Sequence, residues 1–284
     1  MKRICVVLGT RPEIIKLAPL LRRIVTRNIP LQLIHTQQHY DYVMDKVFFE
    51  ELFLPEPTHR LQTASPHPVL MLAAAMQGCA EIWSKEKPDV VIVQGDTNSV
   101  LAGALAGHKH GCLVAHVEAG LRSGDLGMPE EVNRMLADRM SDFLFPPTEH
   151  QRKHLLAEGL DDKRILVVGN TVQDAVREHL ALAGGTQLPK DLAALEGPYA
   201  LLTLHRPSLV DDPRRLAFAL KCLSALFRER KTTGVFLIHP RTRKILEAMD
   251  RSSFEGPHLL IHDPVGYMPM LKLLSKAAFV VTDS

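Results

Sequence analysis

Residues 90–134 read VVIVQGDTNSVLAGALAGHKHGCLVAHVEAGLRSGDLGMPEEVNR and set an acid behind each of two apolar runs. Asp96 follows the first run in Gly95-Asp96-Thr97, and Glu118 follows the second in His116-Val117-Glu118-Ala119-Gly120. A carboxylate placed directly after an apolar strand needs a partner or a chemical task, and Arg122 is the nearest candidate partner for Glu118. Behind Pro129, Glu130 and Glu131 fall in the first turn of an expected helix, where the helix dipole favours negative charge. Each acid also has a plain reading. Asp96 heads a run of helix-capping residues with Thr97, Asn98 and Ser99, and Glu130 can pair with Arg134 one turn on. Three acids delivered by three consecutive loops to one edge nevertheless favour proton transfer to and from a substrate.

Cations accompany them. Gly9-Thr10-Arg11-Pro12-Glu13-Ile14-Ile15-Lys16 lies between a first strand and a first helix, where backbone N–H groups and the dipole can hold an anion, with Arg11 and Lys16 adding charge. The alternative is a capped helix whose Arg11 and Lys16 are merely solvated. His205-Arg206 and His239-Pro240-Arg241 end two later strands and read either as a phosphate clamp or as loop charges. His108 and His110 flank Lys109 at a helix end and read as solvated rather than as metal ligands. The sequence carries neither a Gly-x-Gly-x-x-Gly fingerprint nor a Walker loop, which argues against a tightly held nicotinamide and against ATP-driven chemistry. No cofactor and no metal are expected.

The elements that must present these residues alternate. Residues 3–8, 31–35, 90–93, 113–117, 143–145 and 165–168 read as buried parallel strands, and residues 13–27, 41–52 and 69–86 as helices between them. Ile14, Leu17, Ala18, Leu21, Ile24 and Val25 make one buried stripe on the first helix. That alternation is the pattern of a doubly wound α/β sheet, and ligands bind beyond the carboxyl ends of its strands. A second series, with strands at 199–204, 234–238, 258–261 and 279–282 and helices from Pro213, Thr242 and Gly266, places a domain boundary near Gly169-Asn170. The expected domains are therefore residues 1–169, carrying the acids, and residues 170–284.

The chain has 284 residues, 46% of them hydrophobic and 23% charged, enough for two medium cores and too apolar for a disordered chain. A net charge of +2 disfavours a nucleic-acid or membrane-surface binder. No apolar run reaches membrane-spanning length, and the N-terminus reads as a strand rather than a leader. Cys5, Cys79, Cys112 and Cys222 are scattered through apolar segments, as buried reduced thiols of a cytoplasmic protein would be.

In this order and spacing the segments resemble the non-hydrolysing UDP-N-acetylglucosamine 2-epimerases. The matching residues are Gly9-Thr10-Arg11-Pro12-Glu13 with Lys16, Gln38-His39, Gly95-Asp96-Thr97, His116 to Arg122, Pro129-Glu130-Glu131 with Asn133-Arg134, Gly169-Asn170-Thr171-Val172, His205-Arg206, His239-Pro240 and Thr282-Asp283-Ser284. The resemblance implies two Rossmann-like, doubly wound domains facing across a cleft as in GT-B glycosyltransferases, with a UDP-sugar between them. It implies inversion at C2 by elimination and re-addition of UDP, without a redox cofactor. By position, Asp96, Glu118, Glu130 and His205 correspond to catalytic residues, and Arg11, Lys16, Arg122, Arg206 and Ser284 to substrate-binding ones. Gln38 and His39 correspond to a regulatory UDP-sugar site, although Tyr40-Asp41 departs from the members that have one. A homodimer is implied in the same way. The loop between Asp125 and Pro129 is shorter than in many bacterial members. The family also continues beyond Asp-Ser into a Gly-Gly turn and helix, so the resemblance implies an incomplete second domain and a chain that binds UDP poorly. Competing readings are an epimerase for a 2,3-diacetamido uronate, a GT-B glycosyltransferase and a non-catalytic UDP-sugar-binding module.

Overall fold

Strand β1 (Ile4–Leu8) begins a parallel sheet, and every later strand of that sheet extends it by the same strand-helix-strand step. The computed structural model describes residues 2–37, 42–250, 254 and 256–283. The chain divides into two compact units, Met1–Arg177 and Glu178–Ser284.

In the first unit β1, β2 (Leu31–His35), β3 (His59–Arg60), β4 (Val90–Gln94), β5 (Leu113–Val117) and β6 (Phe143–Phe145) stand in the order β3-β2-β1-β4-β5-β6, all parallel. The order reverses between β1 and β4, and such a switch point opens a crevice beyond the strand ends. The helices are α1 (Arg11–Thr26), α2 (Tyr42–Glu51), α3 (Pro68–Lys85), α4 (Asn98–Lys109), α5 (Pro129–Met140) and α6 (Glu149–Ala157). Central strands buried on both faces have to be apolar throughout. Accordingly Cys5, Val7, Val91, Val93 and Val114 pack on Cys79 and Trp83 of α3, Val100 and Ala104 of α4 and Ala137 of α5. Trp83 brings a polar N–H into this core, and Gln32 of β2 accepts it at 3.0 Å.

The second unit has β7 (Tyr199–Thr203), β8 (Thr233–Leu237), β9 (Leu259–His262) and β10 (Phe279–Thr282) in the parallel order β10-β7-β8-β9. Ahead of them run α7 (Thr171–Ala183), which crosses the division between the units, and α8 (Lys190–Ala193). Helices α9 (Pro207–Val210), α10 (Pro213–Glu229), α11 (Pro240–Glu247) and α12 (Tyr267–Lys276) complete the unit. Alternate residues of β7 and β8 serve opposite faces. Leu202 and Phe236 pack with Leu216, Leu220 and Phe227 of α10, whereas Leu201 and Val235 pack with Leu192 of α8 and Leu273 of α12.

Four details differ from the reading of the sequence, the first being Val25, expected on the buried stripe of α1 but exposed at the last turn of that helix. Residues 165–168 were expected as a strand, yet they join β6 through an isolated bridge, Leu144 to Ile165, with Leu166 and Val168 exposed. Strand β3 has two residues, too few to leave a periodic signal. Cys5, Cys79 and Cys112 are buried, and burial pushes the Cys79 thiol up to about 12, but Cys222 is exposed on α10. No helix among the described residues is long and apolar enough to cross a membrane.

Candidate active site

The turn after β1 is filled by the chain itself. Pro12 at the start of α1 and Glu13 one residue later direct the Glu13 carboxylate back over the helix N-terminus. Glu13 Oε2 accepts from the Gly9 N–H at 2.9 Å, the Thr10 N–H at 2.8 Å and the Thr10 hydroxyl at 2.8 Å. Its other oxygen accepts from the Thr97 hydroxyl at 2.8 Å, which ties the turn after β1 to the turn after β4 across the switch point. Burial raises the Glu13 pKa, and these donors act against it. The amides expected to hold a phosphate are thus occupied by an internal carboxylate. Gly9 has no room for a larger residue, because a Cβ there would lie 2.0 Å from the Thr36 hydroxyl and 2.2 Å from that of Ser99.

Around this closed turn the expected residues gather. Lys16, one turn into α1, reaches Glu118 with Nζ at 3.0 and 2.8 Å from the two carboxylate oxygens. Gln94, the last residue of β4, donates a further hydrogen bond to Glu118 Oε2. Glu118 adopts φ +70, unusual for a residue with a side chain, so the surrounding contacts must hold it there. Arg122, expected as the partner of Glu118, does not pair with it in this structure. It pairs with Asp138 at 2.8 Å and with Glu158 at 2.6 Å, because the loop after Gly120 turns it toward α5 and α6. Arg11 is likewise paired, with Asp45 of α2 at 3.1 Å.

Asp96 is held by α5. Its carboxylate takes Arg134, and its backbone carbonyl accepts from Asn133 Nδ2 at 2.9 Å. Thr97, not Asp96, caps α4, accepting from the Val100 N–H at 3.4 Å. The two adjacent acids of α5 divide the work. Glu131 is buried and accepts from the Ser123 and Gly124 N–H groups at 3.0 Å and from Arg134 at 2.9 Å. Burial would raise its pKa, but the Ser123 and Gly124 amides and Arg134 hold it down to about 2. Glu130 is exposed and makes no hydrogen bond or ion pair with the described residues, so the expected pair with Arg134 is replaced by Arg134 with Glu131 and Asp96. One edge of the first unit thus presents Lys16, Asp96 and Glu118, with Glu130 on the first turn of α5.

Behind it lies a network that the acid pattern did not reveal. His116 is fully buried in β5, with Nδ1 at 2.7 Å from Asp138 and Nε2 at 2.8 Å from the Gly95 carbonyl. Burial would lower its pKa, yet the charge and hydrogen bond of Asp138 and the Gly95 carbonyl raise it above the ordinary 6.5. Asp138 is held correspondingly low by His116 and Arg122, against the effect of its burial. The available signal was the spacing of His116 and Asp138, which puts an imidazole in a strand and an acid on the facing helix.

In the second unit the turn after β7 repeats the device seen after β1. Asp283, just past β10, accepts from the His205 N–H at 3.0 Å and the Arg206 N–H at 2.8 Å. The His205 ring is half exposed, lies 6.0 Å from that of His239, and lines a pocket of about 230 Å³ with Leu204, Ile238, His239 and Val265. His239 caps α11 by accepting from the Arg241 N–H at 3.2 Å, while the exposed Arg241 pairs with Asp211 rather than facing the pocket. Arg206 is exposed. Gln38, His39 and Ser284 lie outside the described residues. No cluster of three or more metal-ligating side chains occurs among the described residues.

Comparison with known proteins gives this arrangement a family. The family model of UDP-N-acetylglucosamine 2-epimerase matches residues 23–284. A UDP-N-acetylglucosamine 2-epimerase of Methanocaldococcus jannaschii is 42% identical over 287 residues, covering 99% of this chain and 78% of the relative. The solved structure of the enzyme from that organism aligns over 100% of this chain and 79% of its own, with a TM-score of 0.88. A UDP-2,3-diacetamido-2,3-dideoxy-D-glucuronate 2-epimerase of Pseudomonas aeruginosa is 38% identical, over 99% of this chain and 78% of that protein. With a family model spanning most of its length and relatives of this identity, the chain belongs to the UDP-N-acetylglucosamine 2-epimerase family.

Proposed function

We propose that this protein inverts C2 of UDP-N-acetylglucosamine to give UDP-N-acetylmannosamine. The observation that carries the reading is the edge itself: Asp96 and Glu118 at the ends of neighbouring strands, Lys16 beside them and Glu130 on the next helix, in a chain of this family. A base removes the C2 proton while the C1–oxygen bond to UDP breaks, leaving a 2-acetamidoglucal and UDP. A proton then reaches C2 from the opposite face, and a diphosphate oxygen of UDP closes the bond to C1 again. The proton and the leaving group balance the change, so no hydride has to be stored elsewhere. Carboxylates on more than one loop suit a reaction that removes a proton from one face and returns it to the other. Fixed cations and ring N–H donors favour the departing diphosphate, and Lys16, Arg11 and Arg206, with the His205 ring, are the candidates. In this reading residues 1–169 supply the acid–base groups, residues 170–284 bind the nucleotide, and the protein works as a cytoplasmic homodimer.

A solved complex of the Methanocaldococcus jannaschii enzyme contains UDP-GlcNAc and UDP, and it aligns with this chain over 100% of its length with a TM-score of 0.80, which supports the substrate. The 38% identity to the diacetamido-glucuronate epimerase favours a second substrate of the same class, with C3 acetamido and C6 carboxylate groups. The test is incubation with each UDP-sugar in deuterated water, without an acceptor. The expected result is the manno epimer carrying deuterium at C2. Epimerisation with full retention of the original hydrogen would overturn the elimination mechanism, and absence of either epimer would overturn the function.

A further inference from the structure

We propose that His116 is a positioning residue of the epimerase site, clamped between the Gly95 carbonyl and Asp138 so that it fixes the turn bearing Asp96 against the turn bearing Glu118. The inference rests on the function proposed above and extends it to a residue that need not touch substrate. Strands β4 and β5 are neighbours, with Val93 opposite His116, so the ring lies directly behind both turns. A carbonyl oxygen and a carboxylate can only accept. Both ring nitrogens therefore donate, and the ring is an imidazolium. Its raised pKa agrees with that state despite full burial.

Each contact of the clamp acts on a catalytic turn. The bond to the Gly95 carbonyl fixes the peptide that joins Gly95, at φ +90, to Asp96, and with it the direction in which the Asp96 side chain departs. Asp138 grips the other turn at both ends, through His116 two residues before Glu118 and through the Gly120 N–H, at 3.2 Å, two residues after it. The His154 ring closes the turn from α6, with Nδ1 at 3.0 Å from the Gly120 carbonyl. Arg122 holds Asp138 from the far side and is itself held by Glu158. A left-handed non-glycine residue persists where its surroundings over-determine it, and Glu118 is such a residue. Displacing a catalytic carboxylate by about 1 Å can cost about a hundredfold in rate.

The test uses the full chain with His116→Gln, His116→Ala and Asp138→Asn. Glutamine can still donate to the Gly95 carbonyl but carries no charge for Asp138. The expected result is a folded H116Q protein with kcat lowered by about ten- to a hundredfold and KM within about threefold of native, and a larger loss of kcat in H116A, so that glutamine partly rescues alanine. Solvent deuterium entry at C2 should fall in the same ratio as kcat. A structural role alone would leave kcat of folded H116Q near native, or lower it in step with UDP affinity and melting temperature, and either result overturns the proposal. Nitrogen NMR of the native protein supplies a readout that needs no variant. Both His116 ring nitrogens should still carry protons as pH rises past 6.5, where a free imidazole is half neutral, and a neutral tautomer there overturns the clamp. An inactive native protein would overturn the function and the positioning role together, whereas an active one indifferent to H116Q would overturn the positioning role alone.

Discussion

Glu130 and Glu131 are adjacent, chemically identical and differently employed, and their difference is set by what each can reach. Glu131 lies over the Ser123 and Gly124 amides and against Arg134, so its charge organises the loop that leads into α5. Glu130 is exposed at the same helix start. Replacing Glu131 by glutamine should therefore cost stability, roughly 1 to 2 kcal/mol, since charged acceptors contribute more than neutral ones. Glu130→Gln should leave stability within about 0.5 kcal/mol and lower turnover by about a hundredfold or more if it exchanges a proton with substrate. Denaturant melts and turnover on both variants check this. An unstable but active E130Q protein would reverse the assignment. The pair was legible in the sequence as acids at a helix N-terminus, but which acid turned inward was not, because that depends on the path of the preceding loop. The same limit explains Arg122. Its charge near Glu118 suggested a pair, whereas Lys16, more than a hundred residues distant in sequence, makes it.

At the scale of elements, the sequence is most informative where an element is long or buried on both faces. Strand β4 read correctly from its unbroken β-branched run Val90 to Val93, β5 from its short apolar run, and α1 from its stripe of Ile14, Leu17, Ala18, Leu21 and Ile24, all buried. Short pieces such as β3 and α9 are fixed by neighbours rather than by periodicity, and the stretch after the short 3-10 helix Asp162–Arg164 is too exposed to complete a strand. The site depends on a feature of this kind, the three-residue turn after β5. Gly120 has φ +78, and a Cβ there would lie 2.5 Å from the Gln151 carbonyl of α6. Alanine at this position meets both the left-handed penalty and a backbone clash, so Gly120→Ala should destabilise by about 2 kcal/mol or more. Turnover should fall further than stability explains, because the turn carries Glu118. A G120A protein with native melting temperature and native turnover would show that the turn can re-form around a side chain.

The whole molecule should respond to acid through its first unit, and the signs follow from a few buried groups. Full burial and the charge of Arg60 push the His35 imidazole down to about 4, while Asp45, 3.7 Å away, is engaged with Arg11. A lowered imidazole is neutral in the folded chain and protonated more readily in the unfolded one. Its contribution is complete above the ordinary value of 6.5 and is lost as pH falls from 6.5 toward 4. That loss is at most about 3 kcal/mol. His116 has the opposite sign. Raised above 6.5, it contributes fully below that value and loses its contribution only as pH climbs through the raised one. Asp138 and Glu131, both lowered, contribute above the ordinary carboxylate range and lose ground below it, Glu131 down to about 2. Between 6.5 and 4 the loss of stability should therefore come chiefly from His35, opposed by Glu13 and Glu51, whose raised carboxyls add stability as pH falls toward the ordinary 4.5. The single tryptophan, Trp83, is buried in the first unit and reports its unfolding by fluorescence. Urea melts followed at Trp83 should shift to lower midpoints as pH falls through this window. His35→Asn retains a side-chain oxygen that can accept the Gln37 N–H, which His35 Nδ1 accepts at 3.1 Å, but the asparagine does not titrate. The H35N protein should start less stable at pH 7 and then hold or slightly raise its midpoint down to about pH 4.5, where the lowered carboxylates begin to protonate. A native-like slope in H35N would mean that the acid response belongs to other groups, and His35 would then be a packed core residue without a titrating role.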